Sequence, residues 1–169
     1  MDRLWSPWRL EYVTKGEDPG EAGCVFCKAP ALPEADSLLV SRGTSCYVLL
    51  NLYPYNSGHL MVVPFRHVAT LAGLTDAEMD EVGRLTQRCE IALTEAYHPH
   101  GFNIGVNLGK PAGAGVLDHV HVHVVPRWNG DSNFMTVIGS TRVLPEELNA
   151  SAARLRPIFS RLADGTARI

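Results

Sequence analysis

The chain has 169 residues, 46% of them apolar and 20% charged, with a net charge of −3. That composition suits a soluble globular domain with a core of its own and argues against a basic nucleic-acid or anionic-membrane surface. No apolar run approaches the roughly 20 residues that a membrane span needs, so neither nucleic acid nor membrane is expected as a partner.

The opening stretch MDRLWSPWRLEYV carries no continuous apolar h-region and no small-residue cleavage site. The expected compartment is the cytoplasm, where the four cysteines are expected to be mostly reduced. Residues 14–36, rich in Gly, Pro, Glu and Asp, read as a long connection interrupted by Cys24-Val25-Phe26-Cys27. A CxxC pair is half of a tetrahedral metal site or a redox motif, and no thioredoxin-like βαβ pattern surrounds it. Cys46 and Cys89 lie in apolar patterns and read as small buried hydrophobes.

SLLVSRGTSCYVLLN predicts two strands joined at Arg42-Gly43-Thr44. NLYPYNSG is a loop, and HLMVVP is a short buried strand stopped by Pro64. Residues 74–97 give the strongest helix. Met79, Val82, Leu85, Cys89, Ala92, Leu93 and Ala96 recur at helical spacing, and Thr75 with Glu78 forms a capping-box start. HPHG ends that helix. GFNIGVNLG predicts a strand, KPAGAG a flexible glycine loop, and HVHVHVVP another strand. A second, weaker helix lies within 144–163, with Pro157 as a break or kink. The order predicts a mainly antiparallel α+β sandwich rather than a doubly wound sheet.

Three of the chain's seven histidines fall at alternate positions in that last strand: His119, His121 and His123. A strand turns successive side chains to opposite faces. Val120, Val122 and Val124 then enter a core, and the imidazoles form a row with about 6–7 Å between neighbours. Such a row suits metal binding or nucleophilic attack on phosphorus. The preceding NLGKPAGAG offers backbone N–H groups for anionic oxygens, with Asn107 beside them. A zinc hydrolase liganded by all three is the weaker reading, because ligands of one zinc lie only about 3–4 Å apart.

His119-Val-His121-Val-His123-Val-Val resembles the signature of the histidine triad (HIT) superfamily of nucleotide hydrolases and transferases. CVFC, NLYPYNSGHLMVVP, NIGVNLG and HVVPRWNGDSNFM are similar to segments of bacterial HIT proteins. LWSPWR and PRWNGDSNFM most resemble the branch that includes diadenosine tetraphosphate phosphorylases. The resemblance spans roughly residues 3–145 and implies a HIT-like α+β fold. That fold is an antiparallel sheet of about five strands, one long helix and a C-terminal helix, with the sheet pairing across a homodimer. The expected division is an N-terminal extension 1–36, a HIT core 37–128 and a C-terminal extension 129–169.

The resemblance also implies site roles. His121 is the nucleophile on the α-phosphorus of adenine nucleotide derivatives, forming a nucleotidyl-histidine. His123 contacts a non-bridging oxygen, and His59 supports the cluster. Asn107 binds the phosphate or ribose, and Asn51 either binds the ribose or is a turn residue. Gly113, Ala114 and Gly115 cradle phosphate. The loop lacks the Ser or Gln side chain that many HIT proteins carry there, which puts leaving-group activation in question. Cys24, Cys27, His67 and His119 are implied as ligands of a structural zinc, with His98 and His100 as rivals. Water or inorganic phosphate is the acceptor, and a nucleotide-binding module with little catalysis is the alternative of another class. The aromatics Trp5, Trp8 and Trp128 are read as packing residues.

Overall fold

A computed structural model describes residues 23–33, 36–131 and 146–164. The N-terminal tryptophans and the SNFM segment lie outside these residues. The element order is α1 (Val25–Lys28), β1 (Leu39–Arg42), β2 (Cys46–Leu50), β3 (Leu60–Pro64), α2 (Asp76–Tyr97), β4 (Gly101–Val106), β5 (Val122–Arg127) and α3 (Leu148–Ala163). The five strands form one antiparallel sheet in the order β1-β2-β3-β5-β4. As expected, the architecture is α+β with one antiparallel sheet, and both long helices pack on one of its faces.

Alternation along the strands separates two apolar layers. Val40, Val48, Leu50, Leu60, Val62, Val122 and Val124 face α2 and α3, meeting Leu85, Leu93, Leu155 and Phe159. Leu39, Tyr47, Leu49, Met61 and Val63 face the other way and pack on Cys24 and Phe26. Strands covered on both faces need apolar residues at every position, which is why CYVLL and LMVVP run without a polar break.

The β1–β2 hairpin closes on a carboxylate. Glu81 of α2 accepts from the amides of Thr44 and Cys46 at 2.8 Å each, and from Ser45 between them. Burial raises the Glu81 pKa, but those three amides outweigh it and hold the group below its ordinary value. A Cβ at Gly43 would lie 2.4 Å from the Glu81 carboxylate, so the close approach requires glycine.

The capping box at Thr75 and Glu78 forms as expected. The helix face differs in one place. Met79 is 42% exposed, whereas Glu78 is buried and begins the inward row that continues through Val82, Leu85 and Cys89. Arg66 makes this possible by donating to both Glu78 carboxylate oxygens, at 2.9 and 2.7 Å.

The triad strand also starts later than its alternating pattern predicts. Ladder pairing begins at Val122. The Val120 amide donates instead to the Val68 carbonyl, and the His119 carbonyl is taken by a side chain. His119 and His121 therefore sit in irregular backbone just ahead of β5, on the sheet face opposite the helices.

Candidate active site

His121 is almost completely buried, and its orientation is fixed by its own backbone neighbour. Nδ1–H donates to the His119 carbonyl at 2.8 Å. The neutral ring then carries its lone pair on Nε2. Burial holds the imidazole pKa below its ordinary 6.5, opposed by the hydrogen bond to His119. The group is therefore a neutral nitrogen base at pH 7.

His59, His123 and Tyr55 form a linked set beside it. The Tyr55 amide donates to His59 Nδ1 at 3.1 Å. An amide can only donate, so Nδ1 is the acceptor and the neutral His59 ring carries its proton on Nε2. That Nε2–H donates to His123 Nδ1 at 2.9 Å. The same logic places the proton of a neutral His123 on its own Nε2. Tyr55 lies over both rings, with centroids 4.7 Å from His59 and 5.9 Å from His123. His121 and His123 stand edge to face at 4.8 Å.

Asn107 lines an open cavity of about 240 Å³ together with Tyr55, Asn103, Gly105, His123 and Arg127. Arg127 is held by Asp131 through two nitrogens, at 2.6 and 2.8 Å, and donates to Asn103 at 3.0 Å. Asn56 also donates to Asp131, at 2.7 Å, tying the loop that carries Tyr55 to the end of β5. Neither Tyr55 nor this polar set was singled out from sequence. The one hint was that Tyr55 and Asn56 stand directly before Ser-Gly-His59.

Two expected site groups look different in the structure. Asn51 accepts from the Tyr53 amide at 3.0 Å and turns Nδ2 toward His59 Nδ1 at 3.4 Å. Both its polar atoms thus have local partners, in keeping with a turn residue. In the glycine loop, the Gly113 amide donates to the Lys110 carbonyl and the Ala114 amide to Gly109. Those two amides shape the loop. Of the three residues expected to cradle phosphate, Gly115 has no hydrogen-bonded amide among the described residues.

Cys24, Cys27, His67 and His119 converge, with one ligand atom from each lying within 4.8 Å of the others. A tetrahedral zinc bound at about 2.3 Å to sulfur and about 2.0–2.1 Å to imidazole spaces its ligand atoms roughly 3.3–3.8 Å apart. Cys24 Sγ to His119 Nδ1 and Cys27 Sγ to His67 Nδ1 are both 3.3 Å, and Cys27 Sγ to His119 Nδ1 is 3.6 Å. The residues fit the ion. His119 Nε2–H donates to the Pro64 carbonyl at 2.9 Å, which turns the bare Nδ1 toward the sulfurs. The rival histidines serve elsewhere. His98 caps α2 in the left-handed conformation, and His100 accepts from the Asn129 amide at 2.9 Å. His121 and His123 are not in the ligand cluster, which removes the three-histidine zinc reading.

The HIT-domain family matches residues 33–130. A Mycobacterium tuberculosis protein named AP-4-A phosphorylase is 43% identical over 167 residues, covering 95% of this chain and 86% of that one. A bis(5'-adenosyl)-triphosphatase of Dictyostelium discoideum is 30% identical over 119 residues, 67% of this chain and 79% of its own. Among solved structures, a zinc-bound histidine triad family protein from Mycobacterium smegmatis superposes with a TM-score of 0.68 at 27% identity, covering 86% of this chain and 99% of that one. With more than half its length in the match and its strands and helices arranged as described above, the chain belongs to the HIT-domain family of nucleotide hydrolases and transferases.

Proposed function

We propose that the protein cleaves dinucleoside polyphosphates and related adenine nucleotide derivatives at the α-phosphorus, with His121 as nucleophile. The observation that carries this reading is the 2.8 Å bond from His121 Nδ1–H to the His119 carbonyl, which leaves Nε2 as the lone-pair nitrogen. Nε2 forms a bond to the α-phosphorus as the bond to the bridging oxygen breaks, and the nucleoside polyphosphate departs as an anion with that electron pair. An acceptor oxygen then attacks the same phosphorus, the N–P bond breaks, and the electron pair returns to Nε2. Water as acceptor gives a nucleoside monophosphate; inorganic phosphate gives a diphosphate. His123 Nε2–H donates to a non-bridging oxygen, and His59 and the Tyr55 amide hold it in that tautomer. Asn107 and the Gly115 amide complete the phosphate contacts.

The 43% identity to an AP-4-A phosphorylase favours inorganic phosphate as acceptor. Incubation with diadenosine tetraphosphate decides it. ADP and ATP are expected when phosphate is present, and AMP and ATP if water is the acceptor. His121→Ala is expected to abolish turnover, and an active variant contradicts the assignment. A binding module with little catalysis is supported by the absence of a polar side chain in Gly113-Ala114-Gly115. Tight AMP binding without turnover on any of these substrates would establish that second reading.

Cys24, Cys27, His67 and His119 hold zinc in this reading, as a structural ion with all four positions filled by protein. The zinc supplies a rigid cross-link between α1, the segment after β3 and the triad. A homodimer is supported by β4, which ends the sheet with Ile104 48% exposed. The cytoplasm is supported by the four cysteines, none of which is joined to another in a disulfide.

A further inference from the structure

We propose that Phe26, carried on the metal-binding turn, is a positioning residue for the His121 nucleophile. The inference rests on the reading of His121 given above. Phe26 stands between the two cysteine ligands in Cys24-Val25-Phe26-Cys27. Val25 in the same turn is 59% exposed, whereas Phe26 is 5% exposed and faces inward. Its ring centroid lies 4.8 Å from that of His121, at an interplanar angle of 49°, and 5.5 Å from that of His119, edge to face. Its ring touches both a candidate metal ligand and the nucleophile.

The backbone of Phe26 is fastened as firmly as its side chain. The buried Tyr47 hydroxyl donates to the Phe26 carbonyl at 2.6 Å, tying the turn to β2. The Lys28 amide donates to the Cys24 carbonyl at 3.2 Å, closing the turn. A metal held by Cys24 and Cys27 would fasten the turn on both sides of Phe26.

His121 is then held from two directions. The His119 carbonyl fixes Nδ1 and thereby the tautomer. That single hydrogen bond leaves the ring able to swing about it. Phe26 blocks that swing by occupying one side of the imidazole, and His123 occupies another. The geometry gives the metal turn a job beyond stability: it aims Nε2. A displacement of about 1 Å in a reacting group costs on the order of 100-fold in rate.

The test compares the zinc-loaded wild type with Phe26→Ala and Phe26→Leu on diadenosine tetraphosphate, with zinc content measured on each sample. Phe26→Ala is expected to lower kcat by on the order of 10–100-fold, with KM within about threefold and one zinc per chain retained. Phe26→Leu, which restores much of the volume, is expected to recover most of the rate. Three results overturn the proposal. One is wild-type kcat in Phe26→Ala. Another is a raised KM at unchanged kcat, which would make Phe26 a nucleotide contact. The third is a loss of rate only in proportion to lost zinc, which would make it a structural residue. If Phe26→Ala does not fold, Phe26→Leu carries the test alone, with a partial kcat loss at constant KM and full zinc expected. His121→Ala is run alongside. Activity in that variant defeats the nucleophile assignment itself, whatever the Phe26 variants do.

Discussion

Three of the site's histidines take their ring orientation from the backbone. His121 takes its tautomer from a carbonyl two residues back, and His59 takes its own from the Tyr55 amide. Sequence made the three alternating histidines visible, because that residue type at that spacing has few structural uses. It could not show which nitrogen each ring presents, since that depends on contacts such as Tyr55 to His59. Phe26 and Tyr55 were illegible for a related reason: an aromatic in an apolar or turn context reads as packing. Glu78 was legible as a cap but not as a buried ion pair, because its partner Arg66 lies on a separate segment. A hydrogen bond from Arg66 holds the Glu78 carboxyl at about 2, below its ordinary 4.5, against the opposing effect of burial and with help from Thr75. Because the folded value is the lower one, this contribution is complete above about pH 4.5 and fades as pH falls toward 2. Urea midpoints measured from pH 6 to pH 3 should fall more steeply for wild type than for Glu78→Gln. Parallel curves would contradict the assignment.

At the scale of elements, the Cys24–Cys27 turn, the β1–β2 hairpin and α2 are each pinned by a few directed bonds. Four thiols divide into two pairs by environment. Burial, with Glu81 and Glu78 nearby, pushes Cys46 up to about 12, and burial alone raises Cys89 further. Those two are inert core thiols. Cys24 and Cys27 belong to the ligand cluster. A chelator is therefore expected to release one zinc per chain and make two of the four thiols reactive toward a thiol reagent. No released zinc, or four reactive thiols at once, would count against the site. The hairpin rests on Glu81, whose carboxylate takes three consecutive amides. Glu81→Ala should destabilise the fold by about 1–3 kcal/mol by leaving those donors without a partner, read as a lowered urea midpoint. The CxxC pair was legible from its own spacing as half of a metal or redox site, whereas its histidine partners came only through the family resemblance, because His67 and His119 are 40 and 92 residues from Cys27.

The whole molecule is a sheet with two different faces. Among the described residues, one carries α2 and α3 and the larger core; the other carries the Cys–His cluster suited to a metal and the triad histidines. Strand content and antiparallel order were readable from the short apolar runs and turns. The single five-stranded sheet followed from the family resemblance, but the face that the helices cover was not readable, because strands buried on both faces show no alternation to mark it. The late start of β5 was hidden for a different reason: a perfect His-Val alternation continues through residues whose backbone bonds elsewhere. This division of labour predicts that core damage on the helix face spares the site. Leu155→Ala should cost about 2–5 kcal/mol of stability while zinc content and KM stay at wild-type values in the folded protein. Loss of zinc at temperatures where the variant remains folded would show that the two faces are coupled.

The proposed reaction passes through a covalent intermediate at one nitrogen, and acid-free quenching followed by peptide mass spectrometry reads it directly. During turnover of diadenosine tetraphosphate, the peptide containing His121 is expected to gain the mass of one adenylyl group. That gain should be absent in His121→Ala. An adenylyl group on any other residue, or full turnover with no adenylated peptide at any time, would contradict the mechanism.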